Sequence, residues 1–135
     1  MVVSDGVYSA FNLDDEIARF PPDPETEARH RAETLLKTET LRVVLITMLT
    51  GGHMHAQDAP GALTIHVLRG ALRLQAAERT AELGTGEIIA LAPGVRYAIE
   101  GAEDGAFLLT IADLTHEPNR GGPNGGTRAE ERGPR

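Results

Sequence analysis

The sequence predicts an all-β fold, one barrel of short strands, and two observations carry that expectation. From Glu33 to Asp113 the chain runs in short Leu-rich and β-branched stretches broken by Gly, Pro and Asp, the texture of a sandwich or barrel. No stretch of that region keeps a long 3.6-residue apolar period, which disfavours crossover helices and a βαβ architecture. At 135 residues the chain has the length of a single domain with a single core.

The elements follow in chain order. Asn12 can cap a short helix running to Phe20, because Asp14, Asp15 and Glu16 fall in its first turn, where carboxylates offset the positive end of the helix dipole. Pro21 and Pro22 stop it. The charged stretch from Asp23 to Ala32 reads as a solvated turn or linker, and His30, between Arg29 and Arg31, is an exposed histidine there without a role. Strands are expected at Thr34 to Lys37, Leu41 to Leu49, Ala62 to Arg69, Ala71 to Gln75, Thr80 to Leu83, Glu87 to Ala92, Val95 to Glu100 and Ala106 to Ala112. Turn signals separate them, among them Thr50-Gly51-Gly52, Asp58-Ala59-Pro60-Gly61, Gly84-Thr85-Gly86 and Pro93-Gly94. From His116 onward the chain is too poor in apolar groups to offset its ordering entropy, and disorder is expected. The organisation is thus an N-terminal helix and linker over residues 1–32, a barrel over 33–114 and a disordered tail over 115–135.

Composition narrows the function. With 13 Lys+Arg against 20 Asp+Glu, the formal net charge of -7 has the wrong sign for gripping a phosphate backbone, so nucleic acid is not an expected partner. The chain has no cysteine, and any metal must be held by nitrogen and oxygen. Aromatics make up 4% and there is no Trp, which leaves no stacking platform for bases or sugars. No basic region followed by an apolar core opens the chain, and no apolar run approaches the roughly 20 residues that span a bilayer, so a cytoplasmic protein without a membrane partner is expected.

Two motifs carry a family resemblance. Gly52-His53-Met54-His55, followed by Leu63-Thr64-Ile65-His66-Val67-Leu68-Arg69-Gly70, resembles the first cupin motif, a His-x-His pair leading into a strand that ends in Val-Leu-x-Gly. Gly86-Glu87 followed by Leu91-Ala92-Pro93-Gly94-Val95-Arg96-Tyr97 resembles the second. The chain is thus similar to small single-domain cupins of the RmlC-like superfamily over Leu41 to about Ile111. That resemblance implies a double-stranded β-helix, or jelly-roll barrel, and a metal site at its mouth. Metal-binding cupins place a glutamate seven residues before the glycine closing the first motif and a histidine three after the Pro-Gly glycine of the second. Here those positions hold Leu63 and Tyr97, so the resemblance implies a partly degenerate metal site.

The residues themselves support two functions. Alternate side chains of an extended segment share a face, so His53 and His55 project together, joined by Gln57 if the chain stays extended. On Val95 to Glu100 the same alternation aims Tyr97 at the barrel interior, where its phenol can approach the histidine pair. In one reading His53 and His55 ligate a divalent transition metal, Mn, Fe, Zn or Ni, with Gln57, Asp58 or Tyr97 as third ligand, in a metal-dependent dioxygenase or isomerase acting on a small polar substrate. In the other they line a metal-free cavity, with Gln57 and Tyr97, of a non-catalytic small-molecule binding cupin. His66 alternates with the apolar residues of its strand and faces away from the interior, and Arg42, Arg69 and Arg73 are expected to point outward. A barrel of about 80 residues is only marginally stable alone and leaves strand edges unpaired, so a homodimer with Thr34 to Lys37 reaching across is expected.

Overall fold

The computed structural model describes residues 9–112. The C-terminal stretch expected to be disordered lies outside the described residues. One short helix, α1 (Leu13–Arg19), precedes seven strands: β1 (His30–Lys37), β2 (Arg42–Met48), β3 (His53–Asp58), β4 (Ala62–Ala76), β5 (Arg79–Gly84), β6 (Ile88–Leu91) and β7 (Arg96–Ala112). All pairings are antiparallel. The Asn12 side chain accepts the Asp15 backbone N–H at 3.0 Å, the cap expected from sequence, with Asp14, Asp15 and Glu16 in the first turn.

The architecture turns on β4 and β7, whose length lets each serve two sheets. Sheet A runs β1-β2-β7-β4-β6, using the second half of β7 and the first half of β4. Sheet B runs β3-β7-β4-β5, using the opposite halves. Where two strands each are expected over Ala62 to Gln75 and over Val95 to Ala112, single strands instead bend round a corner. The corner lies where Arg69-Gly70 crosses Asp104-Gly105, and it requires glycine. A Cβ on Gly105 would stand 2.0 Å from the Arg69 carbonyl oxygen, and one on Gly70, whose φ is +75°, would stand 2.3 Å from that of Asp104. Glycine here reads as a turn signal in sequence, whereas the backbone continues through it in extended form with a shifted register.

The core fills the space between the sheets. Sheet A contributes Val44, Ile46, Leu63, Ile65, Val67, Phe107, Leu109 and Ile111, and sheet B contributes Leu72, Leu74, Leu83, Tyr97 and Ile99. His66 falls between the inward Ile65 and Val67 and so faces out, as expected. A second apolar layer covers the outside of sheet A, where Leu35, Leu45 and Ala106 are buried and Leu13 and Ile17 of α1 pack with Val43, Leu68 and Leu108. Strand β2 is therefore buried on both faces, which is why its sequence, Arg-Val-Val-Leu-Ile-Thr-Met, is nearly continuous in apolar groups instead of alternating. The one buried hydroxyl there, Thr47, donates to the Phe20 carbonyl at 2.8 Å and ties the end of the helix to the sheet.

Two local expectations change. His30 is not in a linker; β1 reaches back to it and pairs it with Met48, and its Nδ1 is buried without a hydrogen-bond partner. Arg42 pairs with the inward Ile111, which puts it on the inner face at the barrel's end and not outside, close enough for its charge to act on Tyr97. Arg69 and Arg73 do point outward, Arg69 to Asp14 of the helix at 2.7 Å and Arg73 to Glu82 and Glu100 at 3.0 and 3.2 Å.

Candidate functional site

The face on which a strand residue lies is set by its cross-strand partner, and β3 pairs with the first half of β7. His53 stands opposite Glu100 and Met54 opposite Ile99. Ile99 is 2% exposed in the core and Met54 packs against that core, whereas Glu100 is exposed. Directly opposed residues project to the same side, so His53 lies on the outer face of sheet B and Met54 fills the inner one. His55 joins His53: the two rings meet edge to face with centroids 4.8 Å apart. The expectation that both imidazoles share a face thus holds, and the face is the outside of the barrel.

The other expected members of the site fall elsewhere. A bulge between Met54 and Gln57 inserts one extra residue in β3 and breaks the alternation, so Gln57 lies opposite Tyr97 and does not continue the histidine row. Asp58 stands opposite Arg96 and pairs with its guanidinium at 3.1 Å. Tyr97 is aimed inward as expected, 3% exposed, but that puts it on the opposite face of the sheet from His53, so its phenol does not approach the pair. Burial pushes the phenol's pKa up, against a smaller lowering by the Arg42 charge. Leu63, at the position where the resemblance places a glutamate, is 2% exposed in the core.

What surrounds the histidines is an open cleft of about 410 Å³. His53, His55, Arg73, Gln75 and Glu100 supply its polar groups and Ala98 part of its floor. Arg73, Gln75 and Glu100 were not singled out from the sequence as site residues. The available signal was alternation, since Arg73 and Gln75 flank the inward Leu74 and Glu100 follows the inward Ile99. Pairing with Glu82 and Glu100 raises the Arg73 pKa further, so the guanidinium stays charged. The ion pairs Arg73–Glu100 and Arg73–Glu82 hold it across β7, β4 and β5.

The donor set does not fit a resident metal ion. Among the described residues no three His, Cys, Asp or Glu side chains converge to hold one. The Glu100 carboxylate, opposite His53, is engaged by Arg73, and the positions that complete the set in metal-binding cupins are occupied by buried Leu63 and Tyr97. Two imidazoles, a guanidinium, a carboxamide and a carboxylate on one open face can instead donate and accept hydrogen bonds to a small polar molecule.

Neither a family sequence model nor any curated protein sequence matches this chain. Solved structures do. A conserved protein of unknown function from Streptococcus pyogenes is similar with a TM-score of 0.68 and 18% identity, over 84% of this chain and 96% of that one. An RmlC-like cupin from Shewanella frigidimarina matches with a TM-score of 0.62 and 13% identity, over 74% of this chain and 89% of the other. A cupin-family protein with a double-stranded β-helix fold from Methanocaldococcus jannaschii matches with a TM-score of 0.59 and 16% identity, over 67% and 85%. No helix among the described residues is long and apolar enough to cross a membrane. The two sheets sharing bent strands β4 and β7, together with these likenesses, give the chain the fold of the small RmlC-like cupins, a single double-stranded β-helix.

Proposed function

We propose that this small cupin domain binds a small polar organic molecule without a metal, in the cleft on the outer face of sheet B, through His53, His55, Arg73, Gln75 and Glu100. The observation that carries this reading is the pairing of His53 with Glu100, which removes the imidazoles from the barrel interior and groups them with an arginine and an amide. Such a cleft recognises its ligand by a few placed polar groups on a preformed wall, as ligand sites generally do. The imidazole nitrogens and the Gln75 amide can donate to and accept from hydroxyl, amide or carbonyl groups of a ligand, beside the paired Arg73 and Glu100.

The test is ligand-observed NMR with a panel of small hydroxy acids, amino acids and sugar acids, against the parent chain and the His53→Ala, His55→Ala and Tyr97→Phe variants. Binding that is lost in both histidine variants and retained in Tyr97→Phe supports the proposal. Binding lost only in Tyr97→Phe would move the site into the barrel. Titration with Mn, Fe(II), Zn and Ni completes the test: a stoichiometric ion bound by the parent and lost in both histidine variants would restore the metal-dependent reading and overturn this one.

A further inference from the structure

Strand β3 pairs only with β7 among the described residues, so its other edge would be open where His53 enters the cleft. At that point the chain just before β1 closes it. The peptide joining Gly52 to His53 is trans and is held from both sides. Its carbonyl accepts the Gly101 N–H of β7 at 2.8 Å, and its N–H, pointing the opposite way, donates to the Ala28 carbonyl at 2.9 Å. The next carbonyl, that of Arg29, accepts the Leu49 N–H at 3.0 Å. Two successive carbonyls therefore grip the turn that carries the chain from β2 to β3, which the Gly52 N–H closes by donating to the Leu49 carbonyl at 2.8 Å. The fit is close: a Cβ on Gly52 would stand 2.7 Å from the Arg29 carbonyl oxygen.

Extended backbone would send successive carbonyls to opposite sides. Arg29 turns both toward the β2–β3 turn by adopting a left-handed conformation, φ +55°, which a non-glycine residue reaches only at a cost. Thr26 supports it, its Oγ1 accepting the Arg29 N–H at 3.2 Å. The Arg29 guanidinium donates back to the Pro24 carbonyl at 3.5 Å and takes no part in the cleft. We infer that Arg29 is a positioning residue of the cleft: through its backbone and not its side chain, it sets Ala28 against His53 and so fixes where that imidazole stands relative to His55. Strain of this kind persists where the surroundings over-determine it, and here the surroundings are bonds to the strand that bears both histidines. The role rests on the cleft proposed above, but its test needs no ligand.

Two variants of the full chain separate backbone from side chain, because asparagine tolerates the left-handed conformation and β-branched valine does not. In Arg29→Val the His53 amide should exchange with solvent about tenfold faster or more. The nuclear Overhauser contact between the His53 and His55 rings, whose centroids lie 4.8 Å apart, should weaken with it, while the core amides of Ile65 and Phe107 stay protected. Arg29→Asn should keep exchange and ring contact at their parental values. Parental values in Arg29→Val, or their loss in Arg29→Asn as well, would overturn the assignment. If Arg29→Val does not fold, the parent chain decides: in hydrogen exchange over a urea series the Leu49 and His53 amides should share one opening, since one segment holds both, and separate openings would sink the idea. Failure of the ligand panel alone would remove the cleft's binding role and leave these readouts unchanged.

Discussion

The two sheets share β4 and β7, yet their outer faces have opposite character. Outside sheet A, Val43, Leu45, Leu68 and Leu108 meet Leu13 and Ile17 of the helix, and the layer is apolar. Outside sheet B, the corresponding positions are His53, Arg73, Gln75, Glu82 and Glu100, and nothing among the described residues covers them. The same strands therefore alternate differently along their length. Where a face is covered, both sides of the strand are apolar; where it meets water, every second residue is polar. The covered side is packed as an interior, and the open one presents its polar groups to solvent.

That division can be broken by substitution. Phe107, 0% exposed at the centre of the core, anchors both sheets, and Phe107→Ala should cost about 3–5 kcal/mol by urea denaturation. Leu45 points to the outer layer and not to the barrel core, yet Leu45→Ala should cost about 2–5 kcal/mol, because the helix makes that layer a true interior. A near-neutral Leu45→Ala would mean that α1 is not firmly docked. At the corner, Gly105→Ala meets backbone and not a flexible side chain, so the two strands must separate at a cost of about 1–3 kcal/mol.

A subtler contrast lies in charge. Under the helix, Glu33 of β1 is partly desolvated with Glu16 beside it, and its Oε1 is buried without a hydrogen-bond partner, while Arg19 pairs with Glu16. Desolvation first, then repulsion from Glu16, raises the Glu33 pKa above its ordinary value of 4.5. Because the folded-state value is the higher one, this group's contribution to stability is fully present below the unfolded value and is lost as pH rises through the raised folded value. Glu33→Gln should remove that decline from a plot of stability against pH, whereas Glu100→Gln on the open face should leave it in place.

The smallest effects are expected in the cleft. His53→Ala and His55→Ala should each change stability by no more than about 0.5 kcal/mol, since neither side chain enters the core and residues that serve a site contribute little to packing. A large loss in thermal denaturation would make the imidazole pair a structural element of sheet B and remove the basis for a binding cleft.

Much of the fold was legible in the sequence because it rests on local chemistry. Asn12 with three acids behind it announces a capped helix, alternation in Leu63-Thr64-Ile65-His66-Val67 announces a half-buried strand, and alternation around Tyr97 aims its ring inward. The candidate site was legible in part, since His53-Met54-His55 puts two imidazoles on one side whatever the strand's surroundings. Other elements were hidden for physical reasons. Glycines at 70 and 105 resemble strand ends, and only the crossing of β4 and β7 turns them into corners of continuous strands.

By itself, then, the sequence determined the class of fold, the helix and its cap, and which residues alternate with which, because a period of two or 3.6 is a property of the backbone and needs no partner. Tertiary structure decided which of two alternating faces is the inside. For β3 that choice depends on pairing Met54 with Ile99 and on the bulge before Gln57, a register fixed by a strand some forty residues later. A one-residue slip would exchange Met54 for His53 and His55 in the barrel, and the arrangement observed packs the partly buried Met54 thioether against the core while leaving the two imidazoles their access to water.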